Sequence, residues 1–388
     1  MGLFVVAKIS RACVIIFALM RSLRRLNMKK ALAGLALAAG VALATEARVE
    51  GMGGIYGYIL DDEALVILSN PAWAGYFTGR SVLELNSQDV YQAGGAYGGI
   101  LFNMSSFAMG LYLNNPIYEY PLATGDYDMA HGFTFALGST GEGMKWGVRL
   151  GAAMEQYGDT SYTIKGTQVK LAPGVLLPLG DATIDAVLMV DAGLHSDDSQ
   201  GDNNVLEPIS PLDRIALGVR YIGAGDFKWI YGLGVYMTDY GTKQGNTEDV
   251  DKTMGGGLNI GFNTKPTENS LIGGGLSLSG FQWKDTDTTS SLGVSLTASL
   301  GGELGLNDWF ILRGGLNHSP LVMYNDDPDK EIGGSGLAVS LGAGIAKGPV
   351  RFDATVSEDL LYNWPYFLTG NTSSAVGKLA LLYQFRTQ

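Results

Sequence analysis

Apolar side chains alternate with glycine, hydroxyl-bearing or charged ones through most of this chain. Val350, Phe352, Ala354 and Val356 alternate with Arg351, Asp353, Thr355 and Ser357. Likewise Trp146, Val148, Leu150, Ala152 and Met154 are set against Lys145, Arg149 and Glu155. A period of two sends successive side chains to opposite faces, so each run predicts a strand wetted on one side only. Runs of this kind fall near 81–88, 93–103, 106–113, 128–138, 143–155, 167–177, 181–191 and 213–223. They continue near 227–237, 252–262, 270–283, 289–301, 308–316, 335–345, 349–357 and 376–385. The gaps between them alternate in length. Long ones at 114–127, 156–166, 192–212, 238–251, 317–334 and 358–375 are separated by short ones such as 139–142, 178–180, 224–226, 302–307 and 346–348. Only 284–288 breaks that rhythm, being brief on a long-loop side. The pattern predicts an all-β, transmembrane antiparallel β-barrel with short periplasmic turns, long external loops and an even strand number.

Composition supports a wall in lipid. Residues 1–44 read as a leader: Met28-Lys29-Lys30, a small apolar run from Ala31, and an Ala42-Leu43-Ala44 cleavage pattern that starts the mature chain at Thr45. Met28 is the alternative start, and Ala12 to Met20 is too short to span a bilayer. The single cysteine, Cys13, lies in this leader, so no disulfide is expected. The leader also carries seven of the 26 basic residues, leaving 19 against 38 acidic ones, a mature charge near −19. That balance argues against a nucleic-acid partner. Of 56 glycines, 53 lie beyond residue 44, too many for a soluble core but suited to a tilted, curved wall. Aromatics near strand ends (Tyr236, Tyr240, Trp283, Trp309, Phe310, Trp364, Tyr366, Tyr383 and Phe385) predict interfacial girdles.

Residues 45–80 differ from the rest. Turn and cap signals surround short apolar stretches: Gly51-Met52-Gly53-Gly54, Asp61-Asp62-Glu63 and Ser69-Asn70-Pro71-Ala72. Their apolar content argues for folding rather than a loose tail. Gly51, Gly53, Gly54, then Asp61 and Asp62, then Asn70, Pro71 and Ala72 resemble the opening of the long-chain fatty-acid transporter family of outer-membrane barrels, which includes the shuttle barrel of a gliding-bacterium secretion system. The resemblance covers roughly residues 49–75. Trp73 stands where that family more often has glycine. It implies a 14-stranded barrel, with an N-terminal hatch at 45–80 and the wall at 81–388. Two of the short early segments would then belong to the plug or to one bent strand; the period-two count itself gives 16. It further implies a bacterial outer-membrane transporter of hydrophobic compounds, whose cargo displaces part of the hatch and leaves sideways.

Strand parity places Lys145, Arg149, Glu155, Asp185, Asp191, Arg214, Arg220, Lys228, Arg351, Asp353 and Lys378 on the lumen side. Lys145, Arg149, Arg214, Arg220 and Arg351 are the candidate ligand contacts, able to hold a carboxylate beside apolar neighbours. The alternative is wall charges paired across strands. Asp61 and Asp62 are expected to cap a hatch helix or to tie it to the wall. No cofactor or metal is expected: there is no C-x-x-C-H, and Asp197–Asn204 and Asp326–Asp329 carry oxygen ligands without an EF-hand pattern. His131, His195 and His318 lack an accompanying nucleophile motif, so no enzyme is expected. Expected partners are outer-membrane lipids, hydrophobic small molecules and proteins meeting the external loops. A secretion-linked or structural barrel and a passive porin are the alternative functions.

Overall fold

The computed structural model describes residues 46–58, 67, 69–77, 79–86, 96–104, 106–113, 132–158, 163–197, 207–208, 214–244, 247–284, 291–326, 329–333, 337–356 and 376–384. The leader, Asp61, Asp62 and His131 lie outside them, as do most of the external loops and both oxygen-rich runs apart from Asp197, Asp326 and Asp329. The Glu155 and His195 side chains are likewise undescribed.

Every predicted run forms a strand. In chain order these are β1 (Arg80–Asn86), β2 (Ala96–Met104), β3 (Phe107–Leu113), β4 (Gly132–Ser139), β5 (Lys145–Gly158), β6 (Thr163–Leu179) and β7 (Ala182–Asp197). A two-residue piece, β8 (Glu207–Pro208), precedes β9 (Arg214–Ile222), β10 (Phe227–Gln244), β11 (Thr247–Thr264), β12 (Ser270–Lys284), β13 (Ser291–Gly305) and β14 (Phe310–Asp326). Then follow β15 (Asp329–Gly333), β16 (Leu337–Lys347), β17 (Val350–Val356) and β18 (Val376–Gln384). Neighbours pair antiparallel, and β1 pairs with both β2 and β18, which closes the sheet on itself. β15 continues the register of β16 against β14, from Val322–Gly333 to His318–Leu337. β8 likewise occupies the wall position of β9, between β7 and β10. The wall therefore has sixteen strand positions, the larger of the two expected numbers. The short early strands β1 to β3 are all in the wall, with β1 at the closing seam.

Alternation decides which face meets lipid. Trp146, Leu150, Phe352, Leu233, Leu258 and Leu316 are exposed, while the intervening Lys145, Arg149, Asp353, Asn259 and Arg313 are buried. Large apolar groups outside and buried charges inside invert a soluble fold and define a transmembrane barrel of the outer-membrane type. At the short-turn end, Phe227 stacks on Phe262 at 5.3 Å and meets Trp229 at 5.2 Å, and Trp309 lies 5.6 Å from Phe310. These rings form one expected girdle. Tyr236 does not belong to a girdle: its strand parity turns it inward, against Ala172, Val187, Met189 and Ala216. The β6–β7 ladder skips Ala172 and Pro173, since Pro173 has no N–H to donate.

Candidate functional site

A sixteen-stranded wall encloses a lumen wide enough for an aqueous channel, so whatever occupies that space sets permeability. Two pieces of the N-terminal segment lie against its inward face. The first, helix Glu46–Glu50 and the turn after it, meets β16, β17 and β18. Ala47, Val49 and Met52 are fully buried. Met52 packs with Ile55, Tyr58, Ile230 and Leu271.

Charge fixes this piece in place. Arg48 donates to both Glu303 oxygens, Nε at 3.1 Å and Nη2 at 2.5 Å. Glu303 also accepts from Arg313 Nε at 3.1 Å. Arg313 and Arg351 in turn hold Asp353, at 2.6 Å and 2.9 Å. Lys378 pairs with Glu50 at 2.5 Å, and the Ala47 N–H donates to Glu84 on β1 at 2.9 Å. Where the main chain must come close, the wall is glycine: a Cβ at Gly301 or Gly315 would fall on the backbone of Met52. Gly53 adds its own reason, with φ +81, a conformation side chains disfavour.

Tyr58 closes the first piece. Its hydroxyl donates to the Leu276 carbonyl at 3.2 Å, and Asn263 Nδ2 donates to its carbonyl at 2.7 Å. Burial pushes the phenol up to about 12. A pKa raised above its ordinary value near 10 favours docking below that pH and loses it as pH rises through about 12. Single-channel recordings should therefore stay quiet to about pH 10 and show openings above it, and Tyr58→Phe should abolish that alkaline onset.

The second piece is organised by Asn70. It caps the 3-10 helix Pro71–Tyr76, its Oδ1 accepting from the Ala72 N–H at 2.9 Å. The same side chain donates to Asp185 Oδ1 at 2.6 Å and to the Ala186 carbonyl at 3.0 Å. Trp73 Nε1 donates to Asp185 Oδ2 at 2.9 Å. Arg220 grips that carboxylate through Nε and Nη2, and its Nη1 reaches the Gly57 carbonyl at 3.4 Å. Asp185 and Arg220 thus touch both pieces of the segment. Gly147 and Gly174 form the seat, since a Cβ at either would fall on Pro71 or Asn70. Lys145 lies 4.5 Å over the Tyr76 ring and donates to the Gly141 carbonyl at 2.7 Å.

Inward rows climb the wall from this seat. The first holds Lys145, Leu176, Asp185 and Arg220, and the next Gly147, Gly174, Val187, Gly218 and Gly234. Above them come Arg149, Ala172, Met189, Ala216 and Tyr236, then Lys170, Asp191, Arg214 and Thr238. The result is an apolar, glycine-floored shelf with cations along its upper rim. Arg214 lies 5.7 Å over the Tyr236 ring.

Of the five candidate ligand contacts, Arg220 and Arg351 are committed to wall carboxylates, as the paired-charge alternative requires, and Lys145 turns to the short-turn end. Arg149 and Arg214 share the shelf. The sequence reading missed Glu84, Glu303, Arg48 and Arg313. Glu303 sits beyond the predicted end of its strand at 301, and extending that strand by one turn of the alternation would have faced it inward beside Arg313.

No known protein family matches the chain, and no curated protein does. Among solved structures, the ferric yersiniabactin uptake receptor FyuA of Yersinia pestis is similar over 71% of this chain at 12% identity and TM-score 0.37. The chain spans about half of that protein's length, 53%. A Pseudomonas aeruginosa FadL homologue is similar at 12% identity and TM-score 0.44, over 89% of this chain and 100% of that one. The Ralstonia pickettii toluene transporter TbuX gives 10% identity and TM-score 0.36, over 87% and 97%.

Proposed function

We propose that this barrel carries hydrophobic compounds, such as long-chain fatty acids, across the outer membrane, and that residues 45–80 act as its hatch. One observation carries the reading: the segment is seated by glycines and buried ion pairs inside a wall otherwise wide enough to conduct. A passive porin gains nothing from such a seat. Above the seat, the shelf from Gly218 to Tyr236 offers apolar surface on the lumenal side of the wall. Concave apolar surface with a few convergent polar groups is what a small-molecule site requires. Asp61 and Asp62 are assigned the role of holding the hatch centre to wall or backbone donors.

The test is uptake of a labelled long-chain fatty acid by cells producing the full chain, together with planar-bilayer recordings of the purified barrel. Low conductance with saturable uptake is the expected result. High steady conductance without saturation would establish a porin instead. Low conductance without uptake or binding would assign the barrel to secretion or structure.

A further inference from the structure

The buried charges described above point into the lumen. One pair of cations points outward. On the lipid face of β11, Met254, Leu258 and Ile260 are exposed, and on β12 so are Leu276 and Leu278. The same alternation, carried past Met254 and Gln282, reaches Lys252 and Lys284, both exposed and directly opposed in the β11–β12 register. Like charges facing each other across an antiparallel pair destabilise it. Elsewhere in the described ladders, a cation opposite a charge meets a carboxylate: Arg214 with Asp191, Arg220 with Asp185, Arg313 with Glu303. Asp239, across from Lys252 on β10, sets one carboxylate against two ammonium groups, so the row keeps a positive excess.

Their height in the bilayer follows from the strands. Lys252 stands ten residues above Phe262 of the girdle, and Lys284 ten above Gly274, the partner of Phe262. Ten residues climb about 26 Å, at about 3.4 Å per residue and a tilt of about 40°, against an apolar band about 25 Å tall. The girdle marks the short-turn, periplasmic end, so the lysines stand among the headgroups of the outer leaflet. The rim steps down beside them. β11 continues five residues beyond Lys252 to Thr247, while β12 ends at Lys284 and only residues 285–290 separate it from β13. This is the stretch whose brevity breaks the long-loop rhythm of the sequence. Below the lysines, Gly256 and Gly280 oppose each other on the same face, between Val235 and Val294. Neither glycine carries a side chain, so a shallow track bordered by valines runs down the wall beneath the cation pair.

We propose that Lys252 and Lys284 form a lipid site on the outside of the wall, clamping a phosphate of an acylated, phosphorylated glycolipid of the outer leaflet. The phosphate lies between the two ammonium groups, accepts from both and relieves their repulsion. One acyl chain lies along the Gly256–Gly280 track. Lysine suits the position, because its apolar stem covers the wall while its head reaches the interface. The site stands whatever the lumen carries.

The test is native mass spectrometry of the purified full-length barrel, titrated with bisphosphorylated lipid A and with the same lipid stripped of both phosphates. The phosphorylated lipid is expected to bind about thirtyfold tighter, at about fivefold for each lysine near a charged membrane surface. Lys252→Gln combined with Lys284→Gln should remove that preference by weakening the phosphorylated lipid alone. Lys252→Arg combined with Lys284→Arg should keep it. The stripped lipid serves as the folding control, because its affinity should be the same in all three proteins. Equal binding of the two lipids by the wild type, or a preference that survives the double glutamine substitution, would overturn the proposal. Sodium phosphate is titrated separately and is expected not to bind at millimolar concentration. Saturable phosphate binding lost in the glutamine variant, with the two lipids bound equally by the wild type, would assign the lysines to a free anion instead.

Discussion

Deletion of residues 49–75 should turn a quiet barrel into one with a large, steady conductance in planar bilayers. The expectation follows from wall size and from what the segment covers. Sixteen strands enclose an aqueous channel unless something fills it. The deletion removes Met52, Ile55, Tyr58, Ile67, Ala72 and Ala74, all buried against the inward wall, and no other described element replaces them. The wall should persist, because its closure rests on ladders from β1 to β2 and β18, which the deletion leaves whole. Heat-modifiable migration in electrophoresis checks that persistence alongside the recordings. A conductance no larger than that of the intact protein would show that the segment does not set permeability. Arg48→Ala should give a milder version, with brief openings, since Glu303 keeps Arg313 and Arg351 as partners.

The wall was legible because a barrel imposes one rule on every residue: out to lipid or in to the lumen. That rule writes a period of two wherever the chain crosses the membrane, so all sixteen runs became strands. The seat of the N-terminal segment was harder to read. Its contacts join residues far apart in the chain, such as Asn70 with Asp185 and Arg48 with Glu303, 115 and 255 positions apart. Local pattern carries no trace of such pairings. Glycine counts hinted at them, yet Gly147, Gly174, Gly301 and Gly315 look like any other small inward residue until a second backbone is found lying on them. Tyr236 shows the opposite error. An aromatic near a strand end suits an interface, and only the parity set by buried Ile230 and Thr238 turns it to the lumen. Trp73, a departure from the resembled motif, is explained by its indole N–H, which reaches Asp185 Oδ2 where glycine would leave that oxygen to Arg220.

The second large effect should come from Asp185→Ala. This carboxylate is 3% exposed and accepts from Asn70, Trp73 and Arg220 at once. Removing it takes the carboxylate away from the Arg220 guanidinium and frees the cap of the Pro71–Tyr76 helix. Breaking one partner of a buried pair costs about 3–5 kcal/mol, because the remaining charge is left uncompensated. That cost falls on the docked segment, since the ladder pairing of β7 with β9 does not use the side chain. The expected outcome is frequent long openings in bilayer recordings, together with protease cleavage inside residues 46–77 in a barrel that still migrates as folded. Asp185→Ala combined with Arg220→Leu separates the two contributions. Removing that cation should recover part of the closed state, as expected when a charge pair is replaced by apolar groups. The remainder measures what Asn70 and Trp73 lose, about 1.5–3 kcal/mol for each hydrogen bond to a charged group. If the double variant were as open as the single one, the Asn70 and Trp73 contacts alone would hold the second piece, and Arg220 would have no part in keeping the barrel closed.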